Sequence, residues 1–190
     1  MDRESHGWRH LILAATHTTD TVTYLSLGSN MGDRAAQIEE AIAMIGRLPE
    51  TSILKHSPLY ESKPWGKTNQ PDFLNMVVEI STNIDPHELL HNCKNIEAKL
   101  GREPGEQWGP RPIDIDILLY GDKRLKTDTL IIPHQRMWER QFVLRPLANL
   151  LPNLVGPDNT PIEKFLQREE IAAQGVREYR LERKKGNEEK

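Results

Sequence analysis

The chain has 190 residues, of which 25 are basic and 28 are acidic, so its formal net charge is −3. This length fits one domain with short tails, and the lack of a basic excess argues against general binding of nucleic acids or anionic membranes. No apolar run exceeds five residues, whereas a membrane helix needs about 20 and a signal peptide about 7–15. The single cysteine, Cys93, excludes a disulfide within the chain and multi-cysteine metal sites, and it is typical of a reducing compartment. We therefore expect a cytoplasmic protein that acts on small molecules, with no nucleic-acid or membrane partner.

The elements predicted between the two ends of the chain follow from hydrophobic periodicity and from turn residues. In chain order they are a strand at 22–27, a helix over 38–48, strands at 52–61 and 73–81, a helix over 85–101, a strand at 113–120, a short strand at 130–132, a strand at 142–144 and a helix over 161–166. The second helix has the clearest boundaries, because Asp85 is a good N-cap, Pro86 suits the first helical position and Gly101 can end it. Cys93 lies in the apolar stripe of this helix, so we interpret it as a core residue rather than a reactive thiol.

Both ends of the chain differ from its middle. Residues 1–21 contain three histidines and four threonines of a Thr-rich patch without sustained periodicity, and we expect them to be a loosely ordered extension. Residues 167–190 are dominated by charged side chains and are expected to form a solvated tail. The folded domain is therefore predicted to span residues 22–166.

The core order βαββαβ predicts an α+β protein with a ferredoxin-like fold, in which helices cover one face of an antiparallel sheet. Successive residues of a strand point to opposite faces of the sheet. In the fourth strand Asp114 and Asp116 share one face, and the apolar residues of the other face are Ile113, Ile115, Ile117 and Leu119. In the third strand Phe73 and Asn75 oppose an apolar face made of Leu74, Met76, Val78 and Ile80. We expect the functional site on the sheet face that carries the aspartates, opposite the helices.

The pair Asp114 and Asp116 is the first candidate for chemistry. Two residues along a strand span about 6.6 Å, so both carboxylates can reach one Mg²⁺ or a pair of ions. Alone, such a pair is more often a solvated strand face than a metal site. Arg111 makes the pattern more specific, since a guanidinium beside paired carboxylates suits phosphoryl transfer.

Further residues could contact a nucleotide or a flat ring. Arg102 follows the Gly101 helix end, and His134 and Arg140 add possible phosphate contacts, although His134 could equally be an ordinary residue at the start of a helix. The aromatic residues could be core or could stack on a heterocycle whose edge Asn75 reads. These aromatic residues are Trp65, Phe73, Trp108 and Phe142. The turn at residues 28–33 lies between a strand and a helix but lacks the Gly-Lys-Ser/Thr of a phosphate-binding P-loop, so we interpret it as turn chemistry.

The string Gly-Arg-x₅-Trp-Gly-Pro-Arg-x₂-Asp-x-Asp at residues 101–116 resembles the 6-hydroxymethyl-7,8-dihydropterin pyrophosphokinase family of folate biosynthesis. The resemblance extends over residues 22–166, and the stretches that carry it are 27–30, 70–75, 96–102, 108–117 and 133–144. It implies a Mg²⁺-dependent enzyme that transfers pyrophosphate from ATP to the pterin hydroxymethyl group and releases AMP. It also implies the ferredoxin-like fold already predicted from the strand pattern.

The resemblance assigns an expected role to each matching residue. Arg102 and Arg111 would clamp the phosphates as catalytic residues, and Asp114 and Asp116 would hold two Mg²⁺ ions. The pterin would contact Ser62, Trp65, Phe73, Asn75, Trp108, Asp114 and Phe142. ATP would contact Lys94, Glu97, Arg102, Arg111, the backbone of Ile117, His134 and Arg140.

The sequence departs from the family pattern at three places, and two other functions compete. The loop 103–107 lacks the further basic residues that are usual there, Lys94 replaces a frequent glutamine, and Gln135 replaces a proline or tyrosine. A polymerase-β-type nucleotidyltransferase also pairs a Gly-Ser turn with Asp-x-Asp, but its carboxylates follow the turn closely, unlike Ser29 and Asp114. A ferredoxin-like RNA-binding module would need a basic face and RNP-type aromatic residues.

Overall fold

The structure, a computed structural model, describes residues 20–66, 68–103 and 109–181, and these form eight strands and five α-helices. The strands are β1 (Thr21–Ser29), β2 (Thr51–His56), β3 (Leu59–Ser62), β4 (Phe73–Thr82), β5 (Asp114–Tyr120), β6 (Leu125–Lys126), β7 (Ile131–Ile132) and β8 (Arg177–Tyr179). The helices are α1 (Arg34–Ile45), α2 (Pro86–Lys99), α3 (Gln141–Leu150), α4 (Ile162–Leu166) and α5 (Glu169–Ala172). The extension expected at residues 1–21 lies almost entirely outside the described residues.

The first two helices begin at aspartate N-caps. The Asp33 carboxylate accepts a hydrogen bond from the backbone N–H of Ala36, and the Asp85 carboxylate accepts one from that of His87. Cys93 on α2 is fully buried, and burial raises the pKa of its thiol to about 12, which confirms it as a core residue. Within the described ranges, no helix combines the length and the apolar character that crossing a membrane would require.

The main sheet has the strand order β5-β1-β4-β3-β8, with β2 also paired to β4, and its neighbouring strands are antiparallel. β2 and β3 together take the place of one long strand beside β4. The central strand order is then β5, β1, β4 and the combined β2 and β3, which is the order that a βαββαβ chain adopts in a ferredoxin-like domain. The predicted α+β, ferredoxin-like fold is confirmed.

The two faces of this sheet are covered differently. On the first face, α1 and α2 pack over the predicted apolar residues of β4, and the resulting core includes Leu25, Leu27, Ile38, Leu89, Ile96 and Ile115. On the second face, α3 and α4 pack over Tyr24, Val77 and Leu118. These two helices are additional to the predicted helix layer on the first face, and they cover only one end of the second face. The other end, which carries Asp114 and Asp116, forms a pocket.

The strand predicted at residues 52–61 is broken into β2 and β3 by Ser57 and Pro58. Proline has no N–H to donate to a sheet ladder, which favours an interruption at this point. Ser57 keeps the break attached to β4, because its backbone N–H donates to the carbonyl of Val77 at 2.9 Å and its hydroxyl accepts from the N–H of Val77 at 3.1 Å.

Two local predictions are wrong. Residues 142–144 belong to α3 and not to a strand, because a short apolar run fits either element until its neighbours decide. Leu119 packs with the second-face core rather than with Ile113, Ile115 and Ile117, while Tyr120 joins the first-face core. The reason is a bulge in the pairing of β5 with β1, which skips Leu118 and reverses the alternation beyond it.

The expected solvated tail is also wrong for the residues that the structure describes up to 181. Ile171 on α5 is buried in the second-face core, and β8 pairs with β3 at the edge of the sheet. Charged residues surround the few apolar residues of this segment in the sequence, so its composition does not reveal that it packs on the domain.

Glu61 links β3, β8 and α1, and it makes the stability of the fold pH-dependent. Hydrogen bonds from Arg177 hold the pKa of the Glu61 carboxyl below its usual value, and Arg34 acts in the same direction while burial opposes both. Because the folded pKa lies below the unfolded pKa of about 4.3, this stabilisation is present at neutral pH and is lost as the pH falls through the folded pKa.

We therefore expect Glu61→Gln to lower Tm by about 2–4 °C near neutral pH, and the difference from the parent chain to shrink at acidic pH. Thermal unfolding followed by circular dichroism across this pH range measures the effect. Glu178→Gln is the matched control, because Glu178 lies on the same edge but is half exposed, and its ion pair with Arg180 is long, at 3.6 Å. A Tm difference for Glu61→Gln that does not change with pH would contradict this account.

Candidate active site

Three adjacent strands form the floor of the pocket. Gly28 of β1 lies between Asn75 of β4 and Asp114 of β5, and Ser26 pairs with Asp116 two residues further along these strands. A Cβ atom on Gly28 would lie 3.3 Å from the Asn75 Oδ1 atom and 3.8 Å from the Phe73 ring. Glycine therefore leaves the floor open between the amide and the carboxylate.

The pocket has a volume of about 340 Å³, which is within the range of small-molecule sites. The structure brings twelve of the predicted site residues to its wall, namely Ser62, Trp65, Phe73, Asn75, Lys94, Arg102, Arg111, Asp114, Asp116, His134, Arg140 and Phe142. Ser26 and Gly28 also line it and were not predicted, and so does Lys63, from the loop between the predicted residues Ser62 and Trp65. Trp108 lies outside the described residues. Glu97 and Ile117 do not line the pocket, and the Ile117 side chain is buried in the first-face core.

Asp114 is held by two arginines. One of its carboxylate oxygens accepts a hydrogen bond from Arg102 and the other accepts one from Arg111 at 3.0 Å. Burial alone would raise the pKa of Asp114, but the Arg111 and Arg102 guanidiniums outweigh it and lower the pKa. Asp114 is therefore a carboxylate at neutral pH and orients both arginines toward the pocket.

Asp116 has a different environment. Among the described residues no hydrogen bond or ion pair engages its carboxylate, while burial and the nearby Asp114 charge raise its pKa. A carboxylate with this combination of neighbours is best compensated by a bound cation. The described residues contain no cluster of three or more His, Cys, Asp or Glu side chains that could hold a metal, so a cation here would need ligands beyond the two aspartates.

Glu97 connects α2 to the strand that carries the aspartates. Its Oε1 atom accepts from the backbone N–H of Ile115 at 2.7 Å and from Lys94 at 2.8 Å, and its Oε2 atom contacts Arg102 at 2.8 Å. Burial raises the pKa of Glu97, and Lys94 counteracts part of this effect. Because Ile115 lies between Asp114 and Asp116, Glu97 fixes the backbone on which both carboxylates stand.

Part of the pocket lining is aromatic. The Trp65 and Phe142 rings meet edge to face at 6.3 Å, and the Arg140 guanidinium lies over both, at 5.3 Å and 5.7 Å from their centroids. The Arg111 guanidinium lies 5.8 Å from the centroid of Phe73. Rings that already pack against flat cations can accept the face of a flat heterocycle.

Asn75 is the amide of the pocket floor. Its amide nitrogen donates to the Ser62 hydroxyl at 2.9 Å and to the carbonyl of Tyr60 at 3.3 Å. These two bonds fix the amide and turn its Oδ1 atom toward Gly28. The carbonyl oxygen of Asn75 can therefore accept a hydrogen bond from the edge of a ring placed on the floor.

His134 approaches the aspartates from the segment after β7. Its Nδ1 atom accepts a hydrogen bond from the backbone N–H of Arg136 at 3.2 Å, so the neutral ring carries its proton on Nε2. Burial lowers the pKa of His134, although the Asp116 charge acts against this shift. The ring is thus a fixed hydrogen-bond donor beside the carboxylates.

Asn30 supports the site and was missed in the sequence, where residues 28–33 were interpreted as a turn. Its side-chain oxygen accepts from the backbone N–H of Arg111 at 2.8 Å, and its backbone N–H donates to the carbonyl of Arg111 at 3.2 Å. Its amide nitrogen donates to Gln70 and to the carbonyl of Pro71. Asn30 therefore fixes the backbone of Arg111, and the sequence signals for this role are a polar residue directly after a buried strand and its place in the stretch 27–30 that carries the resemblance.

Comparisons with known proteins agree with the geometry. The family model described as 7,8-dihydro-6-hydroxymethylpterin-pyrophosphokinase matches residues 24–152. A 2-amino-4-hydroxy-6-hydroxymethyldihydropteridine pyrophosphokinase of Bacillus subtilis is 40% identical over 161 residues, which cover 85% of this chain and 92% of that protein. A mitochondrial folate synthesis bifunctional protein of Arabidopsis thaliana is 46% identical over 141 residues, or 74% of this chain. This chain spans only 25% of the length of that bifunctional relative.

Solved structures show the same fold. A crystal structure of a Plasmodium falciparum HPPK-DHPS triple mutant aligns with a TM-score of 0.62 at 20% identity. The alignment covers 80% of this chain and 44% of that one.

Proposed function

Since the chain belongs to the 7,8-dihydro-6-hydroxymethylpterin-pyrophosphokinase family, we propose that it transfers the pyrophosphoryl group of ATP to 6-hydroxymethyl-7,8-dihydropterin. The acceptor is the hydroxymethyl group, and the products are AMP and the pterin pyrophosphate, an intermediate of folate biosynthesis. The observation that carries this proposal is the division of one pocket into an aromatic and amide side and an arginine and carboxylate side.

The aromatic side suits the pterin. Its ring would lie between Phe73 and Phe142, with Asn75 accepting a hydrogen bond from the ring edge. Trp65 packs edge to face on Phe142 and so keeps that wall in place. Ser62 contributes indirectly, by holding the Asn75 amide in its orientation.

The charged side suits the phosphates of ATP. Arg102, Arg111 and Arg140 would bind the phosphate oxygens, and His134 would donate from Nε2. Lys94 lines the same side, while Glu97 keeps Lys94 and Arg102 in place. Ile117 could contribute only its backbone, because its side chain faces the core.

The residues present fit a divalent metal, and we propose that Asp114 and Asp116 hold two Mg²⁺ ions. When bound, Mg²⁺ would offset the charge of the ATP phosphates and of the paired carboxylates. The environment of Asp116 supports this proposal, since its carboxylate is buried beside the Asp114 charge and forms no hydrogen bond with a described side chain.

The chain's own residues would act chiefly by positioning. The pterin hydroxyl oxygen would attack the β-phosphorus of ATP in line with the oxygen that joins the α- and β-phosphorus atoms. The bond from that oxygen to the β-phosphorus breaks as AMP departs, and the hydroxyl proton passes to solvent or to the phosphate of AMP. Arg102 and Arg111 balance the negative charge that develops on the transferring group. Asp114 holds both guanidiniums in the orientation that this step requires.

The test is the identity of the nucleotide product. We expect the purified chain, incubated with Mg²⁺, ATP and 6-hydroxymethyl-7,8-dihydropterin, to form AMP and a pyrophosphorylated pterin, as resolved by chromatography and mass spectrometry. Excess EDTA should abolish AMP formation, and added Mg²⁺ should restore it. Free pyrophosphate with an adenylylated pterin would instead indicate a nucleotidyltransferase, and the absence of any turnover would contradict the proposal.

We also propose a cytoplasmic location. The support is the single thiol of Cys93, which is fully buried and requires no oxidising compartment. The Arabidopsis relative is named as mitochondrial, so fractionation of cells that express the chain is the direct test.

A further inference from the structure

The start of α3 carries two residues of the pocket wall but is not capped by its own sequence. Arg140 occupies the N-cap position and makes no side-chain capping bond. The first N–H groups of a helix have no partner within the helix and need an external acceptor. Gln174 supplies that acceptor from 33 residues further along the chain, because its Oε1 atom accepts from the backbone N–H of Gln141 at 2.8 Å.

The same carboxamide also binds the chain on the other side of Arg140. Its Nε2 atom donates to the carbonyl of Glu139 at 2.8 Å and to the carbonyl of Glu170 at 3.3 Å. A further hydrogen bond joins the two segments, since the buried side chain of Gln141 accepts from the backbone N–H of Val176 at 2.9 Å. Two hydrogen bonds to the Gln174 side chain therefore hold the backbone on both sides of Arg140.

The segment that carries Gln174, residues 169–179, is itself attached to the domain at both ends. Ile171 anchors α5 in the second-face core, and β8 pairs with β3, the strand that ends at pocket residue Ser62. Between them Gly175 has a φ of +67°, a conformation that favours glycine and that turns the chain directly after Gln174. The whole segment lies beyond residue 152, where the match to the family model ends.

We infer that Gln174 is a positioning residue that acts as a remote cap of α3 and fixes Arg140 and Phe142 in the pocket wall. This inference rests on the proposed function, in which Arg140 binds ATP phosphates and Phe142 stacks on the pterin. Gln174 does not line the pocket and acts only through the backbone at residues 139–141.

The test removes the hydrogen bonds of Gln174 while keeping the size of its side chain. Gln174→Met should raise KM for both substrates by about 3- to 10-fold, with kcat within about threefold of the parent value, as expected for the loss of a small set of hydrogen bonds. Gln174→Glu keeps the acceptor for the Gln141 N–H and loses the donor to Glu139, so its KM values should fall between those of the parent chain and Gln174→Met. Steady-state kinetics with AMP as the measured product gives both parameters.

Two further variants separate positioning from stability. Gln167→Ala removes an exposed glutamine of the same region and should change neither KM nor Tm. Ile45→Val trims the first-face core and should lower Tm without changing KM. If Gln174→Met lowers Tm but leaves both KM values unchanged, the inference is overturned while the proposed function stands. If the parent chain forms no AMP, the proposed function fails and this inference fails with it.

Discussion

Replacing Asp116 with alanine is expected to lower kcat by about 1000-fold or more while the fold stays intact. Asp116 lies on the open part of the sheet, and no described side chain forms a hydrogen bond or ion pair with its carboxylate. Its removal therefore costs the fold no specific contact, whereas the proposed metal site loses one of its two protein carboxylates. AMP formation and Mg²⁺ titration of the variant measure the loss.

The same variant should not be less stable than the parent chain when Mg²⁺ and ATP are absent. Burial and Asp114 raise the pKa of Asp116, so the folded state holds the proton more tightly than the unfolded state does. The ionised carboxylate therefore opposes folding above the unfolded pKa of about 3.9, and its removal should hold or raise Tm near neutral pH but not at acidic pH. Asp122→Ala, an exposed change just after β5, is the matched control and should leave kcat unchanged. Unchanged turnover in Asp116→Ala would refute the metal assignment.

Arg111→Ala is expected to lower kcat by about 100- to 1000-fold. The guanidinium of Arg111 bonds to Asp114 inside the pocket, while the backbone of Arg111 is fixed separately by Asn30. Removing the side chain should therefore delete one cation from the charged wall without releasing the segment that carries it. A lower kcat with nearly constant KM would mark an interaction made mainly in the transition state.

Two comparison variants make the Arg111 experiment specific. Arg111→Lys keeps the charge but loses the planar fork that binds two oxygens, so its kcat should lie between those of the parent and Arg111→Ala. Arg124→Ala removes an exposed arginine outside the pocket and should have no effect. An effect of Arg111→Ala on KM alone would reduce Arg111 to a substrate contact.

The floor of the site could be predicted because strand geometry is local. Alternation along β4 and β5 placed Asn75 on the face opposite Leu74 and Met76, and it placed Asp114 and Asp116 opposite Ile115. The alternation of side chains between the two faces of a strand follows from the local sequence alone. The prediction failed only beyond Leu118, where a bulge reverses the alternation and no residue type announces it.

The support of the site could not be predicted, because it depends on partners far apart in the sequence. Phe142 begins a three-residue apolar run that fits a strand or a helix. The run belongs to α3, and the acceptor that caps this helix is the side chain of Gln174. Asn30 looks like a turn residue until Arg111, 81 residues later, lies beside it. Charge composition likewise concealed that β8 completes the sheet edge.

The pocket floor unites Gly28, Asn75 and Asp114, which are neighbours only through the pairing of β1 with β4 and β5. A binding surface that contains all three residues therefore requires both of these long-range strand pairings. Binding of the proposed substrates would therefore stabilise the state in which β1 is paired with both β4 and β5. Ligands that fill this pocket would thus select the completed sheet and would protect the chain against proteolysis, because a protease cleaves the opened chain more readily.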